Sequence, residues 1–169
     1  MKNLLKITAV VLFVIASTAI NAQTLKFGHI DLEALISIMP ESANAQTELE
    51  NYQKDLEDVL SELYEEYTNK ISEFEQLGTD VSEVKRTLKI TEIQEFQTKI
   101  ENFRTNAGQQ IDQKRAELIQ PILSKAESAI EEVAKAQGLI YVFDANSLYY
   151  KSNTSIDVLP LVKEKLGIK

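Results

Sequence analysis

The chain has 169 residues, 44% hydrophobic and 26% charged, with 18 Lys and Arg against 26 Asp and Glu, a formal charge of -8. That length suits about one domain, too apolar for a disordered polyelectrolyte and too acidic for a nucleic-acid binder. No Cys and a single His exclude disulfides, thiolate zinc sites, a lipidated N-terminal Cys and a histidine metal cluster, and five Gly with three Pro argue against a turn-dense all-β protein.

The chain opens on an address. Lys2 and Lys6 precede an uncharged, mostly apolar stretch from Ile7 to Ile20, followed by Asn21-Ala22. A positive region, an apolar core and a small residue predict a secretory signal, residues 1–22, cleaved between Ala22 and Gln23. The 14-residue apolar stretch falls short of the about 20 residues a membrane span requires. The mature chain would carry 16 bases and 26 acids, a net of -10. A cysteine-free exported protein fits a bacterial periplasm without stable membrane insertion.

Lys26–Ile30 reads as a short strand, and Asp31 can cap a brief helix, Leu32–Met39, that Pro40 ends. From Glu41 to Leu77 there is no Gly or Pro. Apolar residues recur at Leu49, Tyr52, Leu56, Leu60, Leu63, Tyr67, Ile71 and Phe74, with gaps of 3, 4, 4, 3, 4, 4 and 3. This is one narrow helical stripe, and its 11-residue rhythm demands no strong left-handed supercoil.

Gly78-Thr79-Asp80 breaks the stripe and is the predicted arm tip, with Gly78 as the residue after the helix and Asp80 capping the next one. The second helix runs from there towards Gln137. Its stripe passes through Val84, Leu88, Ile93, Phe96, Ile100, Phe103, Ala107, Ile111, Leu118, Ile122, Ala129 and Val133. The rhythm slips between Leu88 and Ile93, so packing near the tip should be less regular. Two striped helices joined by a tight turn predict an antiparallel hairpin. Glu41–Leu77 would span roughly 55 Å and Val81–Gln120 roughly 60 Å, so the arms match if Pro121 marks a kink where the arm re-enters a compact body.

After Gly138, Leu139–Phe143 reads as a strand buried on both faces. Asp144–Ser147 supplies a turn, Leu148–Lys151 a return strand, and Asp157 a cap for a last helix, Val158–Leu166, closed by Gly167. The expected fold is α+β, predominantly α: an arm, residues 41–120, on a body with three short strands, residues 23–40 and 121–169. That body is slight for two long helices, and Leu139–Phe143 wants both faces covered. Pooling strands between chains solves both problems, with Phe27, Ile30, Ile140, Tyr141, Val142 and Phe143 as the expected oligomer core.

Catalytic chemistry is thin. His29 reads as a structural histidine, no phosphate-binding or dinucleotide loop occurs, and the acids read as solvated helix faces. No catalytic, cofactor-binding or metal residues are expected, and the chain does not read as an enzyme. Charge is more informative: Glu41–Leu77 holds 11 acids against Lys54 and Lys70, whereas Asp80–Gln137 holds 10 acids and 9 bases.

Taken together, the signal, KFGHID, the charged hairpin and GLIYVFDANSLYYKSNTSIDVLPLV resemble the Skp (OmpH-like) periplasmic chaperones. The resemblance covers the mature chain and is most specific over Gly138–Lys151. It implies a homotrimer with three helical arms enclosing a cavity, an ATP-independent holdase for unfolded outer-membrane β-barrel proteins. Well-studied members are basic, whereas this chain is acidic. Lys85, Arg86 and Lys89 form only a small basic cluster near the tip, which argues against lipopolysaccharide or anionic-lipid contact. The rival reading is a structural or adaptor coiled coil docking a folded periplasmic partner. An efflux-type adaptor fits less well, because the short β segments leave no room for flanking β-domains.

Overall fold

The computed structural model describes residues 25–168; the expected signal segment lies outside them. In chain order the elements are β1 (Phe27–Ile30), α1 (Leu32–Ile38), α2 (Pro40–Glu75), α3 (Glu83–Gln137), β2 (Tyr141–Asp144), a 3-10 turn (Ala145–Ser147), β3 (Ile156–Asp157) and α4 (Leu159–Leu166). The class is α+β, predominantly α. Among the described residues, no helix is long and apolar enough to cross a membrane.

Asp31 caps α1 by accepting from the Ala34 amide at 2.9 Å. Met39 then turns extended, with ψ at 132°, and Pro40 opens α2, where its missing amide proton leaves no helical bond unmade. Helix α2 runs 36 residues, and every residue of its predicted stripe is buried or half-buried. The hairpin turn departs from the sequence reading. Gly78 does not adopt a left-handed conformation, α2 stops at Glu75, and Ser82 rather than Asp80 caps the second helix, accepting from the Lys85 amide. Antiparallel helices stand about 8–10 Å apart, so the connection uses more residues than a minimal turn and pushes the cap two positions along.

Helix α3 has 55 residues, about 80 Å at the standard rise, and serves two regions in succession. Its first part is the return leg of the arm, where Phe96 and Ile100 pack with Leu63 of α2. Its last part is the central helix of the body. The assigned helix passes through Pro121 without a break, and Pro121 shares a groove with Glu41, Asn44 and Ala45 at the base of α2. Gly138 ends α3 in the left-handed conformation, φ 65°.

The sheet has the order β2-β1-β3, and β1 pairs parallel with both neighbours. Parallel strands need crossovers, and the whole helical hairpin lies within the one joining β1 to β2. The third strand corrects the sequence reading: Leu148–Lys151 is irregular, and the strand is Ile156–Asp157, paired with Gly28 and His29. Apolar β propensity favoured Leu148–Lys151, but that segment must travel from one sheet edge to the other and cannot also pair back on β2. Asp157 thus lies in a strand, although its carboxylate still accepts from the Leu159 amide at the start of α4.

The body core lies between one face of this sheet and the helices. Ile30, Leu35, Met39, Ile122, Ala126, Ala129, Val133, Val158 and Val162 are buried in a single cluster. The α3 members fall at gaps of four, three and four, one helical stripe. Gly28 of β1 faces the same core where space is tight. A Cβ there would lie 2.7 Å from Leu139 Cδ1 and 3.2 Å from both Val142 Cγ2 and Val158 Cγ1.

Candidate functional site

Strand pleating sends alternate side chains to opposite faces, and the parallel register aligns those faces across strands. Phe27 pairs with Tyr141 and His29 with Phe143, so these four share the outer face, away from the helices. The Phe27 and Tyr141 rings stack with centroids 6.3 Å apart, and Tyr141 lies 5.8 Å from Phe143. Tyr141 is 59% exposed and Phe143 43%.

The six residues expected to form an oligomer core are therefore divided. Ile30 is buried and Val142 packs half-buried on the same inner core, both within this chain. Phe27, Tyr141 and Phe143 face outward, and exposed Ile140 precedes β2. A continuous apolar run does not reveal which alternate residues point inward; the register decides it.

Residues 145–155 carry the chain from β2 over β1 to β3. Leu148 and Tyr150 of this crossover, together with Leu25, Lys26, Phe27 and Phe143, line a groove on the outer face. The crossover also explains His29, which is only 6% exposed despite its outward direction. Its Nδ1 lies 2.9 Å from Ser155 Oγ and its Nε2 3.1 Å from Lys151 Nζ. A catalytic base needs a partner that stabilises its protonated form, typically a carboxylate. The partners of His29 are instead Ser155 and Lys151.

The arm has an apolar seam and a charged exterior. Leu60, Tyr67 and Phe103 flank the Leu63–Phe96–Ile100 cluster, and Tyr52 donates to Gln110 across the hairpin at 3.0 Å. Bases of α3 reach acids of α2: Lys125 pairs with Glu41, Lys114 with Glu48 at 2.5 Å, and Lys89 with Glu73 at 3.0 Å. Hydrogen bonds from Lys125 and Lys89 hold the Glu41 and Glu73 carboxyls below the usual carboxylate range. Those that Lys89 donates to Glu92 and Glu73 hold its ammonium above the usual lysine range. Asp55, Glu57, Asp58, Glu62 and Glu65 have no ion-pair partner among the described residues, so the outer side of α2 keeps its negative charge.

Near the predicted tip residues Gly78, Thr79 and Asp80, Val84 is 80% and Leu88 57% exposed. Ile90 on α3 and Val59 and Tyr64 on α2 are exposed too. Val84 and Leu88, expected in the second stripe, therefore lie outside the seam, which α3 joins only from Ile93 onward. The neighbouring basic cluster is largely occupied. Lys89 is shared by Glu73 and Glu92, each at 3.0 Å, and Arg86 lies over the Phe74 ring, 5.6 Å from its centroid.

The chain is similar in fold to the crystal structure of a protein proposed to be an outer membrane chaperone (OmpH-like) from Caulobacter crescentus CB15. The TM-score is 0.73 at 10% sequence identity, covering 86% of each chain. No curated protein matches the sequence. The sequence model described as outer membrane protein (OmpH-like) matches residues 26–166, from the first strand through the last helix. A match over that span places the chain plainly: it belongs to the OmpH-like family.

Proposed function

We propose that this protein is an ATP-independent periplasmic holdase that binds unfolded outer-membrane β-barrel proteins. In this reading the working unit is a homotrimer, with bodies formed by residues 23–40 and 121–169 and arms by residues 41–120. Family membership supports the chaperone class. The observation that carries the mode of action is the arm surface, where exposed apolar side chains (Val59, Tyr64, Val84, Leu88 and Ile90) are set among unpaired acids. Separate apolar points make individually weak, reversible contacts with an unfolded chain, and the acids keep a loaded complex soluble. The uncovered aromatic face of the parallel sheet supports self-association, because parallel sheets are ordinarily covered on both faces.

The test is dilution of a urea-unfolded outer-membrane β-barrel protein into buffer containing the mature chain and no nucleotide. Light scattering should be suppressed by stoichiometric chaperone; undiminished aggregation overturns the reading. Salt separates the contact types. Charge is screened over about 8 Å at physiological strength, so binding of an acidic client should hold steady or strengthen from low to moderate salt, while a basic client weakens. Converting Glu57, Asp58, Glu62, Glu65 and Glu66 to the corresponding amides should narrow that difference without abolishing capture.

A further inference from the structure

The crossover that covers His29 on the outer face is held by hydrogen bonds to that one side chain of β1. Within residues 148–155, Leu148 bonds back to Ala145, Ser155 to the Ser152 carbonyl, and Ser152 Oγ to Thr154. Among the described residues, the side-chain hydrogen bonds joining this segment to the rest of the chain number two, and both involve the His29 ring, Nδ1 with Ser155 Oγ and Nε2 with Lys151 Nζ.

Donor and acceptor chemistry then determines the ring's state. A lysine ammonium has three donors and no acceptor. At 3.1 Å from Lys151 Nζ, Nε2 must accept, so the ring proton is on Nδ1 and is donated to Ser155 Oγ. A second proton would convert Nε2 into a donor facing a donor and set two cations in contact. Among the described residues, no carboxylate is hydrogen-bonded to the ring. Phe143 of β2 is apolar. Asp157, the register partner on β3, has its Oδ1 engaged by the Leu159 amide at 3.0 Å. Asp31 at the end of β1 caps α1 and accepts from Asn146, while Lys26 and Tyr150 line the groove beyond.

We propose that His29 is a proton-operated latch: neutral, it clamps the 148–155 crossover over the outer face of the sheet, and protonated, it releases Lys151 and lets the crossover lift. Closure and protonation exclude each other, so adding a proton to the ring loosens the segment. Lifting it widens the groove that Phe27 and Phe143, already partly exposed, share with Leu148 and Tyr150. The latch is a property of a single chain and stands whether or not the chaperone reading does.

His29 is the one histidine among the 169 residues, which makes the test unambiguous. Nitrogen-15 spectra of the imidazole in the mature protein at pH 7.5 should show the Nδ1–H tautomer. Amide hydrogen exchange of Thr154 and Ser155, whose amides are hydrogen-bonded within the segment, corrected for intrinsic rates, should accelerate about tenfold between pH 7.5 and pH 5.5, the scale of losing one to two modest hydrogen bonds. Lys151→Gln supplies a side chain that can either donate or accept, so its exchange should stay slow at both pH values. His29→Gln should lose the pH response, with circular dichroism checking that its helices persist. An Nε2–H tautomer, pH-independent exchange in the unmutated protein, or an unchanged response in Lys151→Gln would each overturn the latch.

Discussion

The arm and the body are made from one continuous helix yet are stabilised in different ways. In the arm, α3 meets a single partner along a narrow seam, with Leu63, Phe96 and Ile100 its buried cluster. In the body, the same helix meets a sheet, α1 and α4 together, and Leu35, Met39, Val158 and Val162 are almost wholly shielded. The arm can therefore yield locally, one turn at a time, whereas the body is a shared core in which any side chain is felt by several elements. Apolar side chains left outside the seam near the tip suit a contact surface that must adapt, and a close-packed body suits a fixed anchor.

Core truncation should separate the two regions most. Leu35→Ala leaves a cavity at a fully shielded site and should cost about 2–5 kcal/mol. Leu60→Ala, on the half-buried flank of the arm cluster, removes less shielded area and should cost about 1–2 kcal/mol. Denaturant unfolding of the two variants measures the gap; equal losses would mean that arm and body share one core.

Crowding at β1 should come next. Gly28→Ala forces a Cβ against Leu139, Val142 and Val158, and overpacking of this kind costs about 1–3 kcal/mol. Gly108→Ala in the arm meets nothing within 4 Å and should stabilise its helix by up to about 1 kcal/mol. The same substitution thus has opposite signs in the two regions, as thermal unfolding can show.

A charge on either side of β2 sharpens the comparison within the body. Val142→Asp strikes the inner core and should lower the unfolding midpoint. Tyr141→Asp, on the uncovered face, should leave the helical circular dichroism signal intact and reduce the oligomer mass seen by light scattering. An unmutated protein that is already a stable monomer would defeat the second expectation.

The smallest effects belong to the ion pairs across the arm. Carboxyls held below their ordinary range, Glu41 and Glu73, contribute above that range and lose the contribution as pH falls through their lowered values. Lysines held above theirs, Lys89 and Lys114, contribute below the ordinary lysine range and lose it as pH rises through their raised values. Arm helicity should be flat between these limits. Glu48→Gln should move the thermal midpoint less than Leu60→Ala does; a larger shift would make charge, not the seam, the arm's main support.

What could be read in the sequence was what is local. The α2 stripe from Leu49 to Phe74 followed from spacing alone, because a helix presents the same face every three to four residues whatever surrounds it. The slip after Leu88 pointed to less regular packing near the tip, but spacing alone still placed Val84 and Leu88 in the stripe, and both are exposed. Asp31, Gly138 and Gly167 marked helix ends by chemistry that acts within a turn or so of each. What lay beyond that reach was decided by tertiary structure. The pairing of β3 with β1 joins segments 128 positions apart, Gly28 with Ile156, and nothing near Leu148–Lys151 signals that this stretch must cross the sheet instead of pairing back. Gly28 carries no left-handed turn to betray it; its need is space, created only when Leu139, Val142 and Val158 converge. The burial of His29 depends on a crossover laid over it by strand order, and its contacts with Ser155 and Lys151 exist only once three parallel strands have been brought together.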